Sequence, residues 1–132
     1  MTEPLAVLVV DDEPAIRRAL ERALKRWGYT AHLATSGEAA CELLGSYPVD
    51  LVLLDLRMPG MSGQTLFHSI VARWPHLVSR VIVMTGDPEA EDHHDWLRHN
   101  DLPILVKPFE LAQLERMLRA VAAEAERRRL QG

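Results

Sequence analysis

Cysteine is almost absent: Cys41 is alone among 132 residues. No intrachain disulfide can close, and one thiol cannot by itself build a zinc site, so a reducing compartment is expected. Between Ala40 and Glu42, with no base nearby, Cys41 reads as a small half-buried filler rather than a nucleophile. Aromatic residues make up only 5% of the chain, which leaves the core to Leu, Val, Ile and Ala. No apolar run approaches the roughly 20 residues of a membrane span. The opening MTEPLAVLVVDD has neither the basic region nor the long apolar stretch of a secretion signal. Cationic excess is missing as well. Lys and Arg number 15 against 19 Asp and Glu, a formal charge of −4, so no overall basic field is present to hold DNA, RNA or an anionic membrane. These absences point to a cytoplasmic protein with no direct nucleic-acid or membrane partner, either metal-free or using oxygen ligands.

What is present is the balance of a folded domain, with 48% apolar and 26% charged residues in a length that suits one sizeable core. Short, β-branched apolar runs at residues 5–10, 29–34, 50–55, 80–85 and 103–107 predict five strands. The first, third and fourth lack alternation, as strands covered on both faces of a parallel sheet must, whereas Tyr29, Thr30 and His32 mark the second as an edge. Between the first two strands, Ile16, Leu20, Ala23, Leu24 and Trp27 fall at helical spacing, with Pro14 suited to the first turn and Gly28 to the end. Thr35 and Glu38 predict a capping box opening a second helix, through Ala40, Leu43 and Leu44 to Gly45. A third helix is expected over 63–74, after the turn Pro59-Gly60-Met61-Ser62-Gly63. The fourth, with Asp87 as cap and Pro88 in the first turn, has little apolar periodicity beyond Ala90, Trp96 and Leu97, so an exposed, mobile helix is expected. Leu111, Leu114, Leu118, Val121 and Ala125 predict a fifth helix that frays over the last residues. Right-handed crossovers then give an α/β, doubly wound parallel sheet with helices on both faces.

In such a sheet ligands bind beyond the carboxyl ends of the strands. There the first strand ends in Asp11, Asp12 and Glu13, the third in Asp55, the fourth in Thr85, and the fifth in Lys107 followed by Pro108. Two like charges about 4 Å apart repel by roughly 4 kcal/mol at an effective dielectric of ~20, so clustered carboxylates need a cation or a proton. Oxygen ligands without His or Cys suit a hard ion such as Mg²⁺, which also favours phosphate oxygens. Glu13 reads as a first-turn charge favoured by the helix dipole and stays outside the site.

The motifs VLVVDDEP, LVLLDLRMPGMSG, VMTGD and VKPF, in this order and spacing, make the chain resemble the receiver domain of two-component response regulators, with a core over residues 5–122 and a helix end and frayed tail over 123–132. The resemblance implies a flavodoxin-like sheet of order 2-1-3-4-5 with five helices. It implies that Asp55 is the phosphoacceptor, taking a phosphoryl group from a histidine kinase or histidine phosphotransfer protein. Mg²⁺ would be held by Asp55, by Asp12 directly, by Asp11 through water and by the Arg57 backbone carbonyl. Lys107 would pair with one phosphoryl oxygen, Thr85 would hydrogen-bond another, and Lys107-Pro108 would be cis. The domain would catalyse only its own phosphorylation and dephosphorylation. A downstream partner, or a second copy in a homodimer, would dock on the face made by the fourth helix, fifth strand and fifth helix.

Two departures from the family pattern stand out. Ile104 occupies the position, three residues before Lys107, where many receivers carry Tyr or Phe, so a smaller surface change on phosphorylation is expected. Arg57 and Asp87, two residues after Asp55 and Thr85, would flank the phosphoryl group and form an ion pair across the mouth. The histidines of 93–99, with Asp92 and Asp95, read as a solvated polar helix rather than a zinc site, and Arg127 to Arg129 as a solvated helix end. Competing functions are a receiver module cut from a hybrid histidine kinase, a pseudo-receiver scaffold that is never phosphorylated, and an Asp-nucleophile phosphatase. Against the last, no second acid stands two residues after Asp55.

Overall fold

The computed structural model describes residues 4–131. Its strands are β1 Ala6–Val10, β2 Thr30–Ala34, β3 Leu51–Asp55, β4 Val81–Thr85 and β5 Ile104–Val106. They alternate with helices α1 Pro14–Arg26, α2 Gly37–Ser46, α3 Gly63–Arg73, α4 His94–Asn100 and α5 Leu111–Gln131, and a short 3-10 helix, Pro75–Arg80, leads into β4. Every strand pair is parallel and the order is β2-β1-β3-β4-β5. This is the doubly wound α/β sheet that the alternation of short apolar runs and amphipathic stretches predicts.

β1, β3 and β4 are buried along their whole length, while β2 is half-exposed at the edge. Side chains alternate between faces, so each central strand feeds two cores. Leu8, Val52, Leu54 and Val83 pack with Leu44, Leu66, Ile70 and Leu97 from α2, α3 and α4. Val7, Val9, Leu53 and Ile82 pack with Leu20 and Leu24 of α1 and Leu114 and Leu118 of α5. Each fully buried Leu, Ile or Val contributes about 1.5–3 kcal/mol, which makes the strand ends a firm base for the polar residues that follow them.

The helix ends show where local signals sufficed. α1 closes on Gly28 at φ 91°, with Tyr29 N–H donating to the Leu24 carbonyl and Gly28 N–H to that of Lys25, a Schellman pair. α2 is capped by Ser36, whose Oγ accepts the Ala39 N–H at 3.1 Å, and not by the Thr35–Glu38 box. Thr35 and Ser36 are both capping residue types, and the extended backbone at Ser36 decides between them. α4 starts at His94 because Asp87 Oδ1 accepts the Glu89 N–H and so caps a local turn instead of the helix. Nor is α4 a solvated face throughout: Leu97 is buried, and Trp96 sets its ring edge-on against Phe67 of α3. α5 is helical through Gln131, across the stretch where a frayed tail is expected, and there Glu124 pairs with Arg127 and Arg128, and Glu126 with Arg129, one turn apart. Gly132 lies outside the described residues.

Gly63 fixes how closely α3 approaches β3. Its N–H donates to the Leu56 carbonyl at 3.1 Å, and a Cβ there would lie 2.4 Å from the Asp55 carbonyl oxygen and 2.7 Å from Leu56 Cα. Both neighbours are backbone and cannot turn aside, so Gly63→Ala must shift the loop that carries Asp55. We expect a loss of about 1–3 kcal/mol in urea denaturation; wild-type stability would mean that the approach is looser than described.

Candidate functional site

The parallel register brings the polar residues together at one rim. Val10 of β1 is level with Leu54 of β3, and Asp55 with Met84 of β4, so Asp11 follows β1 beside Asp55 and Thr85 closes β4 next to it. Asp11, Asp55 and Thr85 are buried. Asp11, Asp12 and Asp55 each offer a carboxylate oxygen, all within 4.8 Å of one another. Lys107 follows β5, its N–H held by the Thr85 carbonyl at 2.8 Å, and its peptide bond to Pro108 is cis as expected.

Lys107 Nζ lies 2.9 Å from Asp11 Oδ2 and 3.4 Å from Asp55 Oδ2. It also lies 3.4 Å from Glu13 Oε1, so Glu13, which sequence reasoning leaves outside the site, is an exposed outer partner of the ammonium. The other Asp11 oxygen accepts the Glu13 N–H at 2.9 Å, and Arg17 Nη1 donates to the Asp11 carbonyl at 2.7 Å. Asp55 Oδ1 accepts the Arg57 N–H at 3.2 Å. Thr85 Oγ1 accepts the Asp87 N–H at 3.1 Å.

Burial and the Asp11 charge push the Asp55 carboxyl up to about 6, although the Lys107 ammonium and the Arg57 N–H pull it down. Burial works against the Lys107 charge too, but its hydrogen bond to Asp11 and the charges of Asp55, Asp11 and Glu13 outweigh it and raise its pKa. Three carboxylates facing one ammonium leave a local negative excess. An all-oxygen donor set of this charge fits a hard divalent cation such as Mg²⁺.

The expected pair between Arg57 and Asp87 does not form. Arg57 Nη2 instead meets Asp92 Oδ1 at 3.0 Å, because the Asp87 carboxylate is engaged by its own turn. Both partners are largely exposed, a setting in which such pairs contribute about 1 kcal/mol or less. Ile104 is half-buried against the core that α4 covers. His93 departs furthest from the expected solvated helix: it is buried, with Nε2 3.4 Å from Thr85 Oγ1. His94 pairs with Glu89 at 3.0 Å and His99 is exposed.

The response regulator receiver domain model matches residues 7–119. The chain is 38% identical over 105 residues to the DNA-binding transcriptional regulator NtrC of Escherichia coli, covering 80% of this chain and 22% of that protein. Among solved structures it is similar to the signal receiver domain of an HD domain-containing protein from Pseudomonas fluorescens, with TM-score 0.87, 28% identity and coverage of 100% and 96% of the two chains. It is similar as well to the response regulator protein TrrA from Thermotoga maritima in complex with Mg²⁺-BeF, with TM-score 0.75, 30% identity and coverage of 89% and 98%. The chain belongs to the response regulator receiver domain family, a class of two-component signalling domains. It spans less than a quarter of the length of NtrC, whose name includes DNA binding. That relative gives no support to the expected absence of a nucleic-acid partner, so the inference from charge concerns these residues alone. No helix of the described residues is long and apolar enough to cross a membrane.

The Asp55 carboxyl ionises near pH 4 when unfolded and near pH 6 in the fold. Between these values the folded chain holds the proton more tightly, so its contribution to stability falls as pH rises, by a total on the order of 3 kcal/mol. Asp55→Asn should therefore unfold at higher urea than wild type at pH 8, with the gap narrowing toward pH 4. Magnesium should stabilise wild type more than the variant. Equal midpoints at pH 8 would show that the carboxylates do not strain one another.

Proposed function

We propose that Asp55 is the phosphoacceptor of this receiver, charged by the phosphohistidine of a cytoplasmic histidine kinase or histidine phosphotransfer protein. The carrying observation is the buried Asp55 carboxylate, with Asp11 and Asp12 oxygens within 4.8 Å and Lys107 Nζ at 3.4 Å. An Asp55 oxygen attacks phosphorus; its O–P bond forms as the N–P bond of the donor breaks, and the electron pair returns to the imidazole. Asp11, Asp12, Asp55 and the Arg57 backbone carbonyl would hold Mg²⁺, which when bound supplies positive charge to the phosphoryl oxygens. Lys107 swings from its carboxylate partners to a phosphoryl oxygen. The Thr85 hydroxyl donates to another. The acyl phosphate carries about −2, so both contacts, with nearby backbone N–H groups, offset an added negative charge. Residues 5–122 act as the receiver core, and the last turns of α5 extend it.

Output is read on the α4–β5–α5 face. Ile104 has no ring to turn inward and no hydroxyl to report outward, which supports a modest surface change there. Amide chemical shifts on adding Mg²⁺ and beryllofluoride should move near residues 11–13, 55–58, 85–88 and 107; large shifts throughout α4 would overturn this. Incubation with acetyl phosphate or phosphoramidate and Mg²⁺, followed by intact mass, tests the main reading. A labile phosphoryl adduct on wild type, absent from Asp55→Ala, is expected. No adduct on wild type would favour the scaffold reading, and sustained turnover of external phosphate esters the phosphatase.

A further inference from the structure

Among the described residues four polar or charged side chains are buried: Asp11, Asp55, Thr85 and His93. Three belong to the site already described. His93 stands in the turn before α4, eight residues after Thr85, and no role has yet been given to it. Its Nε2 is in hydrogen-bond contact with the Asp87 carbonyl and lies 3.4 Å from Thr85 Oγ1. A carbonyl oxygen only accepts, so Nε2 carries the hydrogen, and that single hydrogen is shared between the Asp87 carbonyl and Thr85 Oγ1. Thr85 Oγ1 also accepts the Asp87 N–H at 3.1 Å. A hydroxyl has two lone pairs and one hydrogen. With the Asp87 N–H on one lone pair and His93 on the other, the hydrogen is the only bonding capacity left to Thr85.

The far side of the ring lies against Asp92. His93 Nδ1 faces Asp92 Oδ1 at 3.3 Å, and that oxygen also accepts from Arg57 Nη2 at 3.0 Å. Gln64 Nε2 donates to the Asp92 carbonyl at 3.1 Å. The ring is therefore oriented by residues from the loop after β3 and the start of α3.

We propose that His93 is a positioning residue for phosphoryl transfer: by filling an acceptor site of Thr85 Oγ1 it commits the Thr85 hydroxyl to act as a donor to the phosphoryl group on Asp55. This deepens, and rests on, the reading of Asp55 as phosphoacceptor. Of these two residues only Thr85 would touch the phosphoryl group, and His93 acts through it.

Calorimetric titration with Mg²⁺ alone, and then with beryllofluoride in saturating Mg²⁺, tests the proposal on wild type, Asp55→Ala, His93→Gln, His93→Leu, Thr85→Ala and the His93→Leu/Thr85→Ala pair. His93→Leu should weaken beryllofluoride about five- to tenfold, the scale of one misplaced hydrogen bond, and leave the affinity for Mg²⁺ alone unchanged. His93→Gln keeps a side-chain N–H and should recover most of the loss. In the Thr85→Ala background His93→Leu should have no further effect. The proposal is overturned if His93→Leu binds beryllofluoride like wild type, if it loses Mg²⁺ in parallel, if Gln is as poor as Leu, or if the loss persists without the hydroxyl. Should the Leu variant not fold, nitrogen-15 spectra of wild type decide: a bare Nε2 on His93 overturns the proposal, and a protonated one supports it. Wild type that does not bind beryllofluoride, or Asp55→Ala that binds as well, takes down the phosphoacceptor reading and this one with it.

Discussion

Repulsion among carboxylates at the ends of β1 and β3 is the constraint that the rest of the rim answers. The parallel register sets Asp11 beside Asp55, and the apolar strands beneath them leave no room to draw apart. Lys107 is the internal answer: it reaches Asp11 at 2.9 Å and Asp55 at 3.4 Å from the far side of the sheet. One ammonium does not balance three acids, so the pocket keeps an appetite for further positive charge. Ordinary core packing thus holds an electrostatically unfavourable arrangement in place, the usual relation between a rigid scaffold and a reactive site.

The same rim is tied to the outer helices by polar contacts. Asp55 accepts from the Arg57 backbone, the Arg57 side chain reaches Asp92, Asp92 faces His93, and His93 faces Thr85. The chain of contacts starts and ends at site residues and passes through the turn that leads into α4. α4 itself is anchored by Leu97 in the core and by Trp96, whose Nε1 donates to His68 of α3 at 3.3 Å. A short helix with little apolar periodicity is therefore placed by tertiary contacts.

This explains which parts were legible in the sequence. The strands, their burial and the rim residues follow from short unbroken apolar runs that end in charged or hydroxyl residues, a local signal. α1 with its Gly28 end was legible for the same reason. Three features were not. The choice of Ser36 over Thr35 as cap turns on backbone angles that both residues tolerate. The partner of Arg57 turns on whether the Asp87 carboxylate is free, and a turn of its own occupies it. The burial of His93 depends on a contact across the top of β4 that no periodicity announces. The site residues were readable because the sheet places them; the polar contacts around them were not, because loops place those.

β5 is only three residues long and is the outer strand beside β4. Pro103 precedes it and Pro108 follows two residues after its end, and neither has an N–H to offer a ladder. That short margin offers little backbone for strand addition, the route by which exposed edges recruit other chains without much regard to sequence. Side chains, such as the exposed Val106 and Leu111, are then the main features this side presents. Its selectivity would then lie in residue identity, free to diverge between related domains while the sheet beneath stays the same.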